Sequence, residues 1–315
     1  MSQTKNKTDF SSADLTVYEV KDERPSLPLP RPLNPVLPDI PGVLLFLMKC
    51  KSGKSNMVAN MLNREEYYEG IFDKIIIVSP TVKIDKSSQL YFREEVEDLY
   101  EVHDDVENVN EIIQSIIDRQ EEFDVNDPDN LPPRLCLVLD DISGYLQRNS
   151  LVAHIFSRYR HYNLTIFLSN QTIKILPTVC RAMATAVFLS SCYSTVEREK
   201  ILDEWAEFFG GKEKMVVMWD DAVKHRFNYL YLKLDDVKPR AFQIGSLRLY
   251  ELDVRTGREQ PHNNLLTEEV ETEPVQPPKS EPNIDEDTSA LPMPGHSLCF
   301  PLASCSKCDQ LLLRS

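Results

Sequence analysis

No run of apolar residues in this sequence approaches the roughly 18 needed to span a bilayer, and no basic start followed by an apolar stretch opens the chain. A secreted or membrane-embedded protein is therefore not expected, and the cytosol or nucleus is. A disulfide framework is missing as well. Of seven cysteines, Cys50, Cys136, Cys180 and Cys192 are scattered among apolar stretches and loops, which suits reduced thiols, and the other three crowd the C-terminus. No internal repeat is visible. Positive charge is scarce, with 35 Lys and Arg against 50 Asp and Glu and a formal net charge of −15.

That deficit is segmental. Residues 94–129 hold 15 acidic side chains and one basic, and residues 255–315 hold 10 and 5, which leaves about +4 for the remainder. A local basic surface is compatible with the overall charge, so a polyanionic partner is not excluded.

Prolines crowd the stretch from Arg24 to Pro41, favouring extended polyproline II and opposing helix, so residues 1–41 are expected to be a disordered, Pro-rich arm. From Gly42 the pattern alternates. Apolar strands are expected at Val43–Met48, Lys74–Pro80 with the proline closing it, Leu135–Leu139, Leu164–Leu168 and Ala184–Leu189. Helices are expected at about residues 54–62, 150–160, 195–209 and 214–223. Val106, Val109, Ile112, Ile113, Ile116 and Ile117 recur at helical spacing, giving the acidic segment one packed face and one solvated face. Residues Phe227–Leu232 alternate like a half-exposed strand near a sheet edge. Strands apolar along their length and separated by helices imply an α/β fold with a mostly parallel sheet covered on both faces, over residues 42–253. Residues 254–315, acidic and Pro-rich without periodicity, are expected to be a disordered tail.

The first strand stops at Lys49-Cys50-Lys51-Ser52-Gly53-Lys54-Ser55 and a helix follows. An apolar strand ending in Gly-Lys-Ser before a helix is the P-loop pattern, in which successive backbone N–H groups and one lysine wrap a triphosphate. Its first glycine is replaced by Met48, which puts a Cβ and a long side chain at the start of the loop. Asp140 and Asp141 follow the apolar run Leu135–Leu139, at the carboxyl end of a strand. They would lie beside the P-loop if the two strands are sheet neighbours, the first carboxylate holding Mg²⁺ and the second orienting water. Lys54 would reach the β- and γ-phosphates of ATP, Ser55 would give its hydroxyl to Mg²⁺, and the loop Lys51, Ser52, Gly53, Lys54, Ser55, Asn56 would cradle the phosphates. Gln171, just past the fourth strand, is either a γ-phosphate sensor or an ordinary loop residue. Arg160, within Arg158-Tyr159-Arg160-His161-Tyr162, is either a solvated helix end or an arginine finger for a neighbouring subunit. His296, Cys299, Cys305 and Cys308 have spacing compatible with zinc, but the segment is short and has no second half to close a finger, so a loose reduced tail is the preferred reading.

The string Leu135 to Asp141, then Ser157 to Gln171, then Leu176-Pro177-Thr178-Val179-Cys180-Arg181 resembles the genome-packaging ATPases of poxviruses, other large DNA viruses, virophages and polinton-like elements, within the FtsK–HerA superfamily. The resemblance covers roughly residues 42–205. It implies a RecA-like P-loop NTPase that uses ATP and Mg²⁺, in a homo-oligomeric, usually hexameric ring that moves double-stranded DNA into a preformed capsid. Lys54 and Ser55 match the P-loop residues, Asp140 and Asp141 the metal- and water-binding pair, Gln171 the polar sensor, and Arg160, eleven residues ahead of it, the trans-acting arginine. Members often have Asp-Glu where this chain has Asp140-Asp141. Capsid or portal proteins are the implied partners and a membrane is not. Sites of virion assembly in the host cytoplasm or nucleus, or the virion itself, are the implied location. Two rival readings stay open, another P-loop helicase or remodelling ATPase and a hydrolysis-deficient nucleotide-binding protein of the capsid.

Overall fold

A computed structural model of the 315-residue chain describes residues 27–83, 98–123, 127, 129–146, 150–191, 193–236, 238–244 and 249–252. All of them belong to one unit, residues 1–268. The candidate zinc ligands and the tail from 254 lie outside the described residues, as do residues 1–26 of the arm.

Among the described residues nine strands form one sheet: β1 (Val43–Leu47), β2 (Lys74–Val78), β3 (Tyr100–His103), β4 (Leu135–Asp140), β5 (Leu164–Asn170), β6 (Ala186–Leu189), β7 (Tyr229–Lys233), β8 (Arg240–Ile244) and β9 (Leu249–Leu252). Their order is β3-β2-β4-β5-β1-β6-β7-β8-β9. Pairing is parallel from β3 across to β6 and antiparallel from β6 to β9. The helices are α1 (Lys54–Asn63), α2 (Val109–Glu121), α3 (Ser143–Leu146), α4 (Ser150–Arg158), α5 (Thr178–Ala182), α6 (Thr195–Trp205) and α7 (Lys212–Ala222).

Alternate residues of β1 serve opposite faces, as the period of two requires. Val43, Leu45 and Leu47 enter a core completed by Ile113 and Ile116 of α2, Ile155 and Phe156 of α4, and Trp205 and Trp219 of α6 and α7. Leu44, Phe46 and Met48 enter the other, under Val58 and Met61 of α1. Both faces are covered, which is why the parallel strands are apolar throughout. The mostly parallel sheet with helices on both faces is the α/β architecture expected above. No helix among the described residues is long and apolar enough to cross a membrane.

Two expectations change. The strand at residues 227–232 is not a half-exposed edge: β7 is buried over its whole length and interior to the sheet. Its alternation separates two cores, with Tyr229 and Tyr231 entering one and Leu230 and Leu232 the other. On the tyrosine side a cross-strand row of rings runs Phe46, Phe188, Tyr231, Phe242, with centroids 4.7, 4.7 and 5.4 Å apart. The second change concerns the arm. Val36 and Leu37 are buried, and proline carbonyls, freed of ladder pairing, accept from side chains of the domain. Tyr231 Oη donates to Val36 O at 2.8 Å, Tyr68 Oη to Pro38 O at 3.1 Å, and the buried Lys233 Nζ to Pro35 O and Leu37 O at 3.0 and 2.9 Å. Lys233→Met keeps the stem and removes the amine. It should lower unfolding free energy by about 2 kcal/mol in urea titration, and an unchanged denaturation midpoint would show that the two Lys233 bonds do not hold the arm.

Candidate active site

The loop after β1 is shaped by backbone more than by side chains. Met48 N donates to Asn170 O at 2.9 Å, one last rung beside β5, and the Met48 side chain is fully buried in the core under α1. Its side chain therefore does not line the loop's concavity, and a glycine is not required there. The left-handed positions come later, at Lys51 (φ 61°) and Gly53 (φ 93°). Ser52 N and Oγ both donate to Lys49 O, closing the turn, and α1 starts at Lys54. No side chain caps α1 and no acidic residue lies in its first turn, so the first N–H groups present a partial positive charge to a cavity of about 420 Å³. Lys49, Lys51, Lys54, Ser55, Asn56 and Asp141 are among its lining residues.

Lys54, Asp140 and Asp141 meet there. Lys54 Nζ lies 3.0 Å from Asp140 Oδ1 and 2.9 Å from Asp141 Oδ1. Burial works against the ammonium, but the two carboxylates outweigh it, and the Lys54 pKa is raised. Asp140 ends β4 and accepts from Ser79 Oγ at 3.4 Å through Oδ2, while Asp141 has a left-handed φ of 52°. A non-glycine residue held in that region beside a charged cluster is the kind of strain that concentrates at functional sites.

The two motif strands are not sheet neighbours, in contrast to the condition set from the sequence. β5 lies between β1 and β4, pairing Asn170 with Leu47 and Ser169 with Asp140. This inserts the polar end of β5 into the site. Gln171 Nε2 lies 3.5 Å from Asp141 Oδ1, and Gln171 N donates to Asn170 Oδ1 at 2.8 Å. Asn170 is a site residue that sequence reasoning did not single out. It is almost fully buried, accepts also from Ser143 Oγ at 2.9 Å, and its Nδ2 has no partner. The signal available was a polar pair, Ser169 and Asn170, closing an otherwise apolar strand.

Glu197 was also overlooked. Ser194 and Glu197 have the spacing of a capping box, and Ser194 Oγ accepts from Glu197 N at 3.3 Å. The buried carboxylate, however, turns to Thr172 Oγ1 at 2.5 Å and Ile173 N at 2.6 Å, pinning the loop that follows Gln171 to α6. The same post-β6 segment holds the end of β1 and the loop that follows it: Tyr193 Oη donates to Leu47 O, and Lys49 N to Ser190 Oγ at 3.4 Å.

On the other side of the loop, Tyr229 Oη donates to Ser52 O at 2.8 Å. Burial pushes the Tyr229 hydroxyl up to about 12, so it remains a donor at working pH. Arg160 is not brought to this site. It is exposed in the turn before β5, with Nε donating to Tyr159 Oη at 2.9 Å. β5 runs parallel to β1, so Arg160 stands at the amino edge of the sheet, roughly 20 Å of strand away from the end that meets the loop.

No family model and no curated relative matches the sequence. Among solved structures, the chain is similar to the genome packaging NTPase B204 from Sulfolobus turreted icosahedral virus 2 in complex with AMP, with 13% identity over 64% of this chain and 96% of that one and a TM-score of 0.46. It is also similar to the pCW3 conjugation coupling protein TcpA with ATPγS, at 12% identity over 65% and 60% of the two chains and a TM-score of 0.45. A third similarity is to Thermomonospora curvata EccC (ATPases 2 and 3) in complex with a signal sequence peptide, at 14% identity over 69% and 35% and a TM-score of 0.37. These are distant similarities of chain path.

Proposed function

We propose that the chain is an ATP-driven translocase that packages double-stranded viral DNA into a preformed capsid, acting as a ring of identical subunits, hexameric as in the FtsK–HerA pattern it resembles. The observation that carries the catalytic half is the convergence of Lys54 on Asp140 and Asp141, at 3.0 and 2.9 Å, beside a left-handed Gly53 and an uncapped helix N-terminus. The DNA and capsid half rests on the resemblance of residues 42–205.

In this reading the loop from Lys51 to Asn56 wraps the phosphates, and Lys54 draws charge from the β,γ-bridge. Ser55 and Asp140 are the groups to hold Mg²⁺. Hydroxyl and carboxylate oxygens suit a small hard cation that takes its other ligands from phosphate and water, and no cluster among the described residues is built to hold a metal unaided. The ion, when bound, neutralises phosphate charge. An arriving phosphate competes with Asp141 for the Lys54 amine. Once released, Asp141 Oδ1 accepts a hydrogen bond from the attacking water, with the Gln171 amide beside it to keep that water in line. Arg160, remote from its own loop, serves the nucleotide of the next subunit.

The test is ATP hydrolysis with and without linear duplex DNA, the stimulation falling steeply with salt because the contacts are to phosphate. Unwinding of a tailed duplex at a comparable rate would favour the helicase, and hydrolysis no faster than in Asp141→Asn would favour the non-hydrolysing capsid protein. For the shared site, Arg160→Ala and Asp140→Ala subunits should each be inactive alone and recover activity when mixed. Confirmed mixed rings with no recovery would remove Arg160 from the active site.

A further inference from the structure

We propose that the nucleobase of the bound nucleotide is seated on Phe227, in the groove between α1 and the turn that precedes β7. This rests on the nucleotide reading above and extends it to a part of the ligand that the P-loop does not touch. The phosphate cavity of about 420 Å³ and a second one of about 200 Å³ share three lining residues, Gly53, Asn56 and Phe227. The second continues along α1, past Asn60 and Arg64, to Tyr229. A triphosphate on the loop therefore has an adjoining hollow beside Phe227, lined by amides and an aromatic ring, in which a flat polar heterocycle fits.

Phe227 is unlike the phenylalanines of the sheet. It is 43% exposed, and its backbone has φ 66°, a conformation that L side chains adopt at a cost. It joins neither core, so packing does not account for its placement. The Arg226 guanidinium lies 4.6 Å from its ring centroid and can take one face at most, and a second face is enough for a base. The turn is tied to the phosphate loop by the hydrogen bond from Tyr229 Oη to Ser52 O, so the backbone that carries the ring stands at a set distance from the loop. Stacking is indifferent to which base is stacked, so the ring supplies affinity, and the Asn56 amide and the Asn60 Oδ1, whose Nδ2 donates to Asn56 O at 2.7 Å, are the groups placed to read the base edge.

The experiment compares the full chain with Phe227→Leu and Phe227→Trp by calorimetric titration with MgATP and with magnesium tripolyphosphate, which has the phosphates and no base. MgATP should bind the native chain about tenfold or more tighter than tripolyphosphate, the size expected of one stacked base. Phe227→Leu should lose about tenfold for MgATP and nothing for tripolyphosphate, and Phe227→Trp should bind MgATP as tightly as the native chain. Equal affinity of the native chain for the two ligands, or a Phe227→Leu chain that binds MgATP normally or weakens for both alike, overturns the base seat while leaving the phosphate site intact. Failure of the native chain to bind either ligand overturns the nucleotide reading itself, and the base seat with it.

Discussion

Lys54→Ala is expected to lower ATP hydrolysis by about 100- to 1,000-fold, the loss typical when one preorganised donor is removed from developing transition-state charge. A second consequence is specific to this geometry. The Lys54 amine sits between two carboxylates at 3.0 and 2.9 Å, and the Asp140 side chain is only 12% exposed, so alanine leaves two like charges facing each other. The variant should be destabilised by about 3 kcal/mol, at the low end for a broken buried pair because Asp141 is 30% exposed and partly screened. The pH dependence has a definite sign. The raised Lys54 pKa means that its contribution is fully present below the unfolded value of about 10.4 and is lost as pH rises through the folded value. The stability gap between the native chain and Lys54→Ala should therefore be flat from neutral pH to about 10 and close above it. Hydrolysis within a few-fold of the native rate, measured on a variant shown to be folded, would remove Lys54 from the site.

The second large effect is expected at Gly53, where two constraints coincide. Its φ of 93° is left-handed, costing an L-residue about 1–2 kcal/mol. A Cβ built there also comes 2.5 Å from Tyr229 Oη and 3.0 Å from Phe227 Cδ1. Phe227 is exposed and can swing aside, but Tyr229 is 5% exposed and its hydroxyl is held by Ser52 O. Gly53→Ala must therefore displace either Tyr229 or the loop itself, and in both cases the N–H groups of the phosphate cradle lose their aim. MgATP binding should weaken at least 100-fold, with a further loss of thermal stability. Tyr229→Phe deletes the atom that the new methyl would strike. The double variant should thus recover part of the binding that Gly53→Ala loses, a coupling readable from a four-way cycle. Strictly additive losses would mean that the backbone angle alone excludes alanine.

Asn170 and Glu197 show where local reading stops. Asn170 ends an apolar strand and gives a signal in the sequence, but its role depends on β5 lying between β1 and β4, which no window around residue 170 contains. Glu197 sits at the position of a capping box and half-fulfils it, and the destination of its carboxylate is a loop 24 residues upstream. β3, β8 and β9 were not anticipated. β3 is short and lies in the acidic segment, and β8 and β9 extend an antiparallel flank whose need for cover is apparent only once β7 is seen to be interior.

The linear chain by itself determined the alternation of strand and helix from residue 42, the Gly-Lys-Ser turn between the first strand and the first helix, the acidic pair and the polar residue after the fourth strand, because each is written in a period or a spacing of a few residues. Tertiary structure alone decided the order of strands, the docking of residues 27–41, the burial of β7, and the meeting of Tyr229 and Ser52 across 177 positions. Those outcomes are sums over many weak contacts between distant segments, and which sum is lowest is not stored in any one segment. Met48 shows both sides of this division. Its side chain departs from the pattern when read along the chain, and in the fold it is a buried core residue whose backbone completes the ladder to Asn170.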